Sequence, residues 1–127
     1  MRLLLDTHIL LALLDQRTEK LPPSIRRVLA DQANEFSLSA ASLWEIAIKS
    51  RLGKLRVTQN LDLLPGLIRE MGIALLPISE HHVLADVQPE PETRDPFDRL
   101  QLAQCQIEGL RLVTVDRALA GHGLVVG

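Results

Sequence analysis

Short apolar runs alternate along the chain with longer segments of helical periodicity. The runs are continuous rather than alternating, which is typical of strands buried on both faces. They predict strands at residues 3–5, 36–38, 73–76, 110–115 and 124–126.

The intervening segments carry helix start and stop signals. Proline is tolerated in a first helical turn, serine and aspartate favour the position before it, and glycine favours the end. Pro22 and Pro23 therefore predict a helix start, Ser39 or Ser42 a cap, and Gly53 and Gly72 helix ends. The predicted helices span residues 7–14, 23–34, 62–71, 79–87 and 96–108, with another that begins at residue 40 or 43 and ends at 52 and a short one from residue 117. Residues 88–94, rich in proline and glutamate, predict a loop.

Strands that alternate with helices predict an α/β fold with a parallel sheet covered on both faces. We expect a three-layer α/β/α sandwich with a short central sheet, formed by residues 1–127 as one domain. In such sheets, ligands bind beyond the carboxyl ends of the strands. The ends of the strands are therefore where functional residues are expected.

Composition limits the class of protein. The chain has 127 residues, 46% of them hydrophobic and 24% charged, as in an ordinary globular domain. One cysteine, Cys105, allows no internal disulfide, and no apolar run approaches the roughly 18 residues needed to cross a bilayer. An acid at position 6 comes too early for a secretory signal. We therefore expect a cytoplasmic protein with no membrane association.

Charge and aromatic content do not by themselves indicate a nucleic-acid-binding protein. The formal net charge is −2, whereas such proteins are usually basic. A protein that holds divalent cations on carboxylates also looks acidic until the metal is counted. Phe36, Trp44 and Phe97 are the only aromatic residues, too few for a platform on which a single strand stacks.

Aspartates follow two of the predicted strands. Asp6 follows the strand at residues 3–5, and Asp116 follows the strand at residues 110–115. If these strands are parallel neighbours, both carboxylates lie at the same edge of the sheet. The alternative is that each aspartate only caps the next helix.

Two further acids lie on predicted helices. Glu45 falls on an apolar stripe, where an ionised side chain is costly unless it is paired or bound to a cation; Lys49, one turn later, is the alternative partner. Asp95 fits the cap position before Pro96, and Asp98 the third helical position, where an acid also favours the helix dipole.

Several carboxylates do not converge without a counter-charge, since like charges about 4 Å apart repel by about 4 kcal/mol at an effective dielectric of 20. Mg²⁺ and Mn²⁺ prefer oxygen ligands and supply that charge. A bound ion can activate water for in-line attack on a phosphodiester, so no side-chain nucleophile is needed.

Five segments, in order through nearly the whole chain, resemble the PIN-domain family, and within it the VapC-type toxins of bacterial toxin–antitoxin pairs. They are DTHILL (6–11), SLWEIAIK (42–49), GKL (53–55), DPFDRL (95–100) and LVTVD (112–116).

The resemblance implies an α/β/α ribonuclease that cuts RNA with Mg²⁺ or Mn²⁺. The family's four acids fall on Asp6, Glu45, Asp98 and Asp116, as catalytic and metal-binding residues, and Thr114 and Asp95 are possible auxiliaries. It also implies a homodimer inhibited by a small cognate antitoxin protein. Cys105 stands where small residues are common and is expected simply to pack.

The cations near the candidate acids each have two interpretations, and the histidines are expected to have no catalytic role. Lys49, Arg51, Lys54 and Arg56 are either a solvated helix end or a contact with the RNA backbone. Arg94 and Arg99 are placed to offset repulsion between the acids or to hold phosphate. For His8 we expect packing or a hydrogen bond. The pair His81 and His82, without a carboxylate partner at ligand spacing, is expected at the surface.

Two other function classes stay open at this point. A receiver-like phosphotransfer domain needs an acidic pair after its first strand, and Asp6 has no acidic neighbour. A catalytically silent domain of the PIN fold that docks a partner protein is the other alternative, against which the presence of all four acids argues. No Gly-x-Gly-x-x-Gly motif follows a strand, which disfavours dinucleotide binding.

Overall fold

A parallel five-stranded sheet forms the centre of the computed structural model, which describes residues 1–126. Its strands are β1 (Arg2–Leu5), β2 (Glu35–Ser39), β3 (Ile73–Leu76), β4 (Arg111–Val113) and β5 (Val125–Val126). Their order across the sheet is β3-β2-β1-β4-β5, and each neighbouring pair is parallel. The central strand β1 therefore lies between β2 and β4, with the carboxyl ends of all three at one edge.

Helices connect the strands. They are α1 (Thr7–Leu14), α2 (Pro23–Ala30), α3 (Ala40–Arg51), α4 (Leu64–Glu70), α5 (Glu80–Leu84) and α6 (Pro96–Glu108), with 3₁₀ turns at Thr18–Lys20 and Leu61–Leu63. Among residues 1–126, none of the helices combines the length and apolar character that a bilayer crossing requires.

Two hydrophobic cores lie on opposite faces of the sheet. Leu3 and Leu5 of β1 pack in one core with side chains from α1, α2, α3 and α4, whereas Leu4 packs in the other, chiefly with α6. Successive side chains of a strand point to opposite faces, so a strand with both faces covered must be apolar throughout. This confirms the predicted α/β/α layering and explains why residues 3–5 are all leucine.

The single cysteine belongs to the second core. Cys105 is fully buried on α6, and burial raises the pKa of its thiol to about 12. The thiol therefore stays protonated at neutral pH and acts as a small apolar side chain, in line with the expectation that it simply packs.

Two helix starts and one helix end lie where capping residues and glycine predict them. Ser39, rather than Ser42, caps α3 by accepting a hydrogen bond from the Ala41 amide at 3.0 Å. Asp95 caps α6 and accepts from the Phe97 amide at 2.9 Å, with Pro96 in the first turn. Gly109 ends that helix at φ 69°, in the left-handed region that glycine adopts without strain.

Three predicted helix boundaries are wrong. Helix α2 ends at Ala30 instead of residue 34, because the Asp31 carboxylate accepts from the Ala33 amide and competes with helical bonding. Helix α5 ends at Leu84 instead of residue 87, where the chain becomes extended and Val87 enters the second core. The segment predicted as residues 62–71 is divided into a 3₁₀ turn and α4.

The chain after β4 also differs from prediction. The strand ends at Val113 rather than residue 115, because its neighbour β1 ends at Leu5 and gives way to α1. The helix predicted from Arg117 is a series of turns, in which the amides of Leu119 and Ala120 bond three residues back. Asp116 therefore lies in a loop rather than directly at a strand end.

Candidate active site

Asp6 lies where β1 passes into α1, at the carboxyl edge of the sheet. Its backbone amide donates to the Val113 carbonyl at 3.0 Å, which ties this position to β4. One carboxylate oxygen accepts from the Thr7 amide at 2.7 Å, so the capping alternative is also realised. The other oxygen is oriented by a side chain from the end of β4.

Thr114 links Asp6 with Asp116. Its hydroxyl donates to Oδ2 of Asp6 at 2.7 Å and accepts from the Asp116 amide at 3.1 Å. Thr114 is buried, so the hydroxyl is fixed by both bonds. The Asp116 side chain is exposed and caps the following turn through the Ala118 amide at 2.9 Å. One buried hydroxyl thus positions two of the acids expected from the sequence.

Thr93 forms the same arrangement around Asp98. Its hydroxyl donates to Oδ2 of Asp98 at 3.1 Å and accepts from the Asp95 amide at 3.1 Å. Both threonines occur in a Thr-x-Asp sequence, at 93–95 and at 114–116. Thr93 was not among the residues predicted from the sequence, although the repeated Thr-x-Asp spacing is a signal by which it can be found.

Glu45 is buried on α3 and paired with Lys49. Its Oε2 lies 2.8 Å from the Lys49 ammonium, the i,i+4 pair that was the alternative explanation for this glutamate. Burial opposes ionisation, but the hydrogen bond and charge of Lys49, with a bond from Thr7, hold the pKa of Glu45 below its usual range. Glu45 is therefore a carboxylate at neutral pH, and its ammonium partner is the cation that any bound metal would have to displace or share.

The four acids are electrostatically coupled. Burial raises the pKa of Asp98 to about 6, with contributions from the charges of Asp95, Asp6 and Asp116. Burial also raises the pKa of Asp6, and the charge of Glu45 adds to that effect. Such mutual effects need proximity. The directions of these pKa shifts are consistent with acids from β1, α3, α6 and the loop after β4 lying in the same region of the fold.

A buried polar layer lies beneath these acids. The hydroxyls of Thr7 and Ser42 are 2.9 Å apart, and the Gln101 amide donates to the Ser42 hydroxyl at 3.0 Å. This chain joins α1, α3 and α6, the helices that carry or follow Asp6, Glu45 and Asp98. The Oε1 atom of Gln101 has no hydrogen-bond partner within residues 1–126. This layer was not predicted, because Ser42 was considered only as a helix cap and helical periodicity does not distinguish Gln101.

The donor set suits a hard divalent cation. Within residues 1–126, no three acidic, histidine or cysteine side chains are grouped closely enough to enclose a metal ion. Mg²⁺ does not require such a cage, since it keeps several waters and is usually bound through one or two carboxylates. The coupled carboxylates, two of them with raised pKa values, are the oxygen ligands that Mg²⁺ and Mn²⁺ prefer.

Arg99 is occupied by the loop before α6. Its guanidinium donates to the carbonyls of Thr93 at 2.9 Å and Pro91 at 3.4 Å, and it forms an ion pair with Glu90. These bonds hold the loop that carries Thr93. The structure thus shows Arg99 supporting the acids through the backbone.

The cations predicted to contact RNA lie at the end of α3 and after it. Arg51 is exposed in the last turn, beyond Lys49, and Lys54 and Arg56 are exposed in the segment that follows. Exposed positive charges thus follow the Glu45–Lys49 ion pair along the chain.

His8 and His82 differ from expectation, whereas His81 is exposed as predicted. The His8 side chain is 70% exposed with Nδ1 4.0 Å from Oδ2 of Asp6, so it neither packs nor forms a hydrogen bond. His82 is buried rather than at the surface: its ring accepts from the Ser79 amide at 3.0 Å and lies 2.9 Å from Glu108. The partner Glu108 is 26 residues away in sequence, beyond the reach of a local spacing argument.

Comparison with known proteins agrees with this architecture. A sequence model of the PIN domain matches residues 3–122. No curated protein matches the chain significantly. Among solved structures, a chain described as "Toxin-antitoxin complex from Klebsiella pneumoniae" is similar, with a TM-score of 0.59 and 20% identity over 98% of this chain and 96% of the other. PIN domains are generally nucleases. Because the family match spans nearly the whole sequence, the chain belongs to the PIN domain family.

Proposed function

We propose that the chain is a metal-dependent endoribonuclease in which Asp6, Glu45, Asp98 and Asp116 hold Mg²⁺ or Mn²⁺ against a phosphate of RNA. The observation that carries this proposal is the set of buried hydrogen bonds between the segments that carry the acids. Thr114 joins Asp6 to the backbone of Asp116, and the chain of Thr7, Ser42 and Gln101 joins α1, α3 and α6. Carboxylates that only cap helices do not need to approach one another.

The residues of the chain have separable tasks in this proposal. A divalent ion, when bound, supplies the counter-charge and the activated water for in-line attack on the phosphodiester. Asp6 is held for binding by Thr114 and the Thr7 amide. Lys49 keeps Glu45 ionised, and Arg51 and Lys54 continue the positive surface to which an RNA backbone is attracted.

The test is cleavage of mixed RNA by the full chain with Mg²⁺ or Mn²⁺, with and without chelator. Asp6→Asn keeps the size of the side chain and removes its charge, and the exposed Asp62→Asn is a matched control outside the acidic region. We expect cleavage that chelator and Asp6→Asn abolish and that Asp62→Asn leaves intact. Cleavage that survives chelator or Asp6→Asn contradicts the metal mechanism.

We further propose that the chain is the toxin of a toxin–antitoxin pair, acts as a homodimer and is inhibited by a small antitoxin. The support is the fold shared with the Klebsiella pneumoniae toxin–antitoxin complex along almost the full length of both chains. Expression of the chain is expected to arrest growth, Asp6→Asn to relieve the arrest, and the adjacent small gene to restore growth. Arrest by Asp6→Asn as strong as by the natural chain contradicts a nuclease toxin.

A catalytically silent PIN domain is the second candidate, and the Glu45–Lys49 ion pair is the observation in its favour. An ammonium already compensates the glutamate at 2.8 Å, so this carboxylate does not require a metal for stability. The cleavage assay separates the two candidates, because a silent domain shows no metal-dependent activity in any variant.

A further inference from the structure

Two aromatic side chains meet beside the acidic region. Trp44 of α3 and Phe97 of α6 have ring centroids 5.6 Å apart with an interplanar angle of 60°, an edge-to-face arrangement. The contact occupies only part of the indole, because Trp44 remains 60% exposed. A packing role alone does not explain this pair, since aromatic packing stabilises by removing apolar area from water.

The pair borders the acids on both helices. Trp44 directly precedes Glu45, and Phe97 directly precedes Asp98. Consecutive Cα atoms are about 3.8 Å apart, so the backbone of each aromatic residue adjoins that of a candidate ligand, while the side chains of consecutive helical residues project in different directions. Glu45 and Asp98 are buried while Trp44 is exposed. The indole therefore lies at the exposed surface where α3 meets α6, and the neighbouring carboxylates lie inside it.

The cations that follow the indole along α3 indicate the class of ligand. Arg51 is exposed about two turns further along, on the same helical face as Trp44, Lys49 lies between them on another face, and Lys54 is exposed just after the helix ends. An accessible aromatic ring with cations further along the same helix and just after its end fits a polymer that has planar bases on an anionic backbone, because bases stack on aromatic side chains and phosphates pair with cations. An apolar protein surface would leave these cations unpaired.

We propose that Trp44, supported by Phe97, stacks on one unpaired base of the substrate next to the phosphate at the acids. This rests on the proposed function and adds to it a contact with one base, which must be unpaired since a paired base is stacked within its helix. The expectation that three aromatic residues are too few for stacking applies to an extended platform; one base needs one ring.

Trp44 is the only tryptophan, so its fluorescence reports on this surface alone. The full chain in chelator, which prevents metal-dependent cleavage, is titrated with a single-stranded oligoribonucleotide and with an abasic oligomer of equal length and charge. We expect saturable quenching by the oligoribonucleotide and little by the abasic oligomer. Equal quenching by both, or none by either, overturns the proposal.

Variants of Trp44 test how much its ring contributes to RNA binding. Trp44→Leu is expected to weaken binding of a labelled oligoribonucleotide by about tenfold, the middle of the range for loss of one aromatic–base stack. Trp44→Phe keeps an aromatic ring and is expected to retain most of the affinity. Leu84→Ala, at an exposed apolar residue of α5, is the control and is expected to bind as the natural chain does. A Trp44→Leu variant that binds normally overturns the proposal.

The results separate this inference from the proposed function. Metal-dependent cleavage that Asp6→Asn abolishes, with no effect of Trp44→Leu on binding, leaves the nuclease and removes the stacking role. Quenching that depends on the bases, without any cleavage, leaves the stacking role and removes the nuclease. Trp44 emission that changes with protein concentration in the absence of RNA indicates an interface between copies of the chain. Trp44 emission that changes only when purified antitoxin is added indicates an interface with that protein, and either result overturns the proposal.

Discussion

Thr114 donates a 2.7 Å hydrogen bond to Asp6 from a position 108 residues later in the chain. The bond connects the ends of two neighbouring strands and fixes the carboxylate at the edge of the sheet where ligands are expected. A residue that only stabilised the loop after β4 would have no need to reach Asp6.

Thr114→Val is therefore expected to lower cleavage activity about 10- to 100-fold, the usual effect of removing a partner that orients a ligand. Thr114→Ser keeps the hydroxyl and is expected to retain most of the activity. The measurement is kcat/KM with the melting temperature of each variant. If Thr114→Ser is as inactive as Thr114→Val, or if both only unfold, the hydroxyl does not orient Asp6.

The raised pKa of Asp98 predicts a pH-dependent stability of the metal-free protein. Its ordinary value of 3.8 rises to about 6 in the fold, so the folded state holds this proton more tightly. The stabilisation that the protonated Asp98 carboxyl contributes is fully present below pH 3.8 and is lost as the pH rises through about 6.

Asp98→Asn removes this ionisation while keeping an oxygen that can accept from Thr93. Its melting temperature is expected to match the natural chain below pH 4 and to exceed it above pH 6, by about 4 °C for each kcal/mol of repulsion relieved. Paired melting curves from pH 3.5 to about 8 in chelator measure the difference. A variant that is less stable at high pH, or a difference independent of pH, contradicts the raised pKa.

Much of the fold was predictable because its causes are local. The leucines at 3–5 are apolar throughout, as burial on both faces requires, and Asp95-Pro96 marks the start of α6. The region after Asp116 was not predictable, because the turns at 117–121 form where β1 offers β4 no further partner.

In the site as well, residues marked by a local pattern were predictable, and contacts between distant segments were not. Strand ends and an isolated acid on an apolar stripe indicated Asp6, Asp116 and Glu45 as candidates. The pair of Trp44 with Phe97, and the layer of Thr7, Ser42 and Gln101, depend on how α3 packs against α6 and α1. Such contacts between distant segments leave no periodic signal in the sequence.

Lys49→Met is expected to destabilise the metal-free protein by about 1 kcal/mol, between the values for an exposed ion pair and a buried one. The reason is that Glu45 would remain buried without its cation. A divalent ion bound at the acids supplies replacement charge, so Mn²⁺ is expected to restore the lost stability.

The measurement for Lys49→Met is chemical denaturation with and without Mn²⁺. Lys54→Met is the control, since Lys54 is exposed near the end of the same helix and forms no ion pair within residues 1–126. An equal loss in both variants, or a loss in Lys49→Met that Mn²⁺ does not reduce, contradicts the assignment of Glu45 to the metal site.

Arg99→Met is expected to loosen the loop before α6, since the guanidinium holds the carbonyls of Thr93 and Pro91. Amide hydrogen exchange in residues 92–95 should become faster, and activity should fall as Thr93 and Asp98 lose their fixed positions. Arg94→Met, at an exposed position of the same loop, is the control. Unchanged exchange with weakened RNA binding would instead assign Arg99 to phosphate.

The most direct test of the central claim is the shift of the melting temperature with Mn²⁺ in the natural chain and its amide variants. Free Mn²⁺ at a hundred times its dissociation constant stabilises by about 2.7 kcal/mol, which gives a clear rise in melting temperature. The account predicts this rise for the natural chain and the control Asp62→Asn, and its loss in Asp6→Asn and Asp98→Asn. The same rise in all four proteins, or none in the natural chain, would contradict a cation site built by these acids.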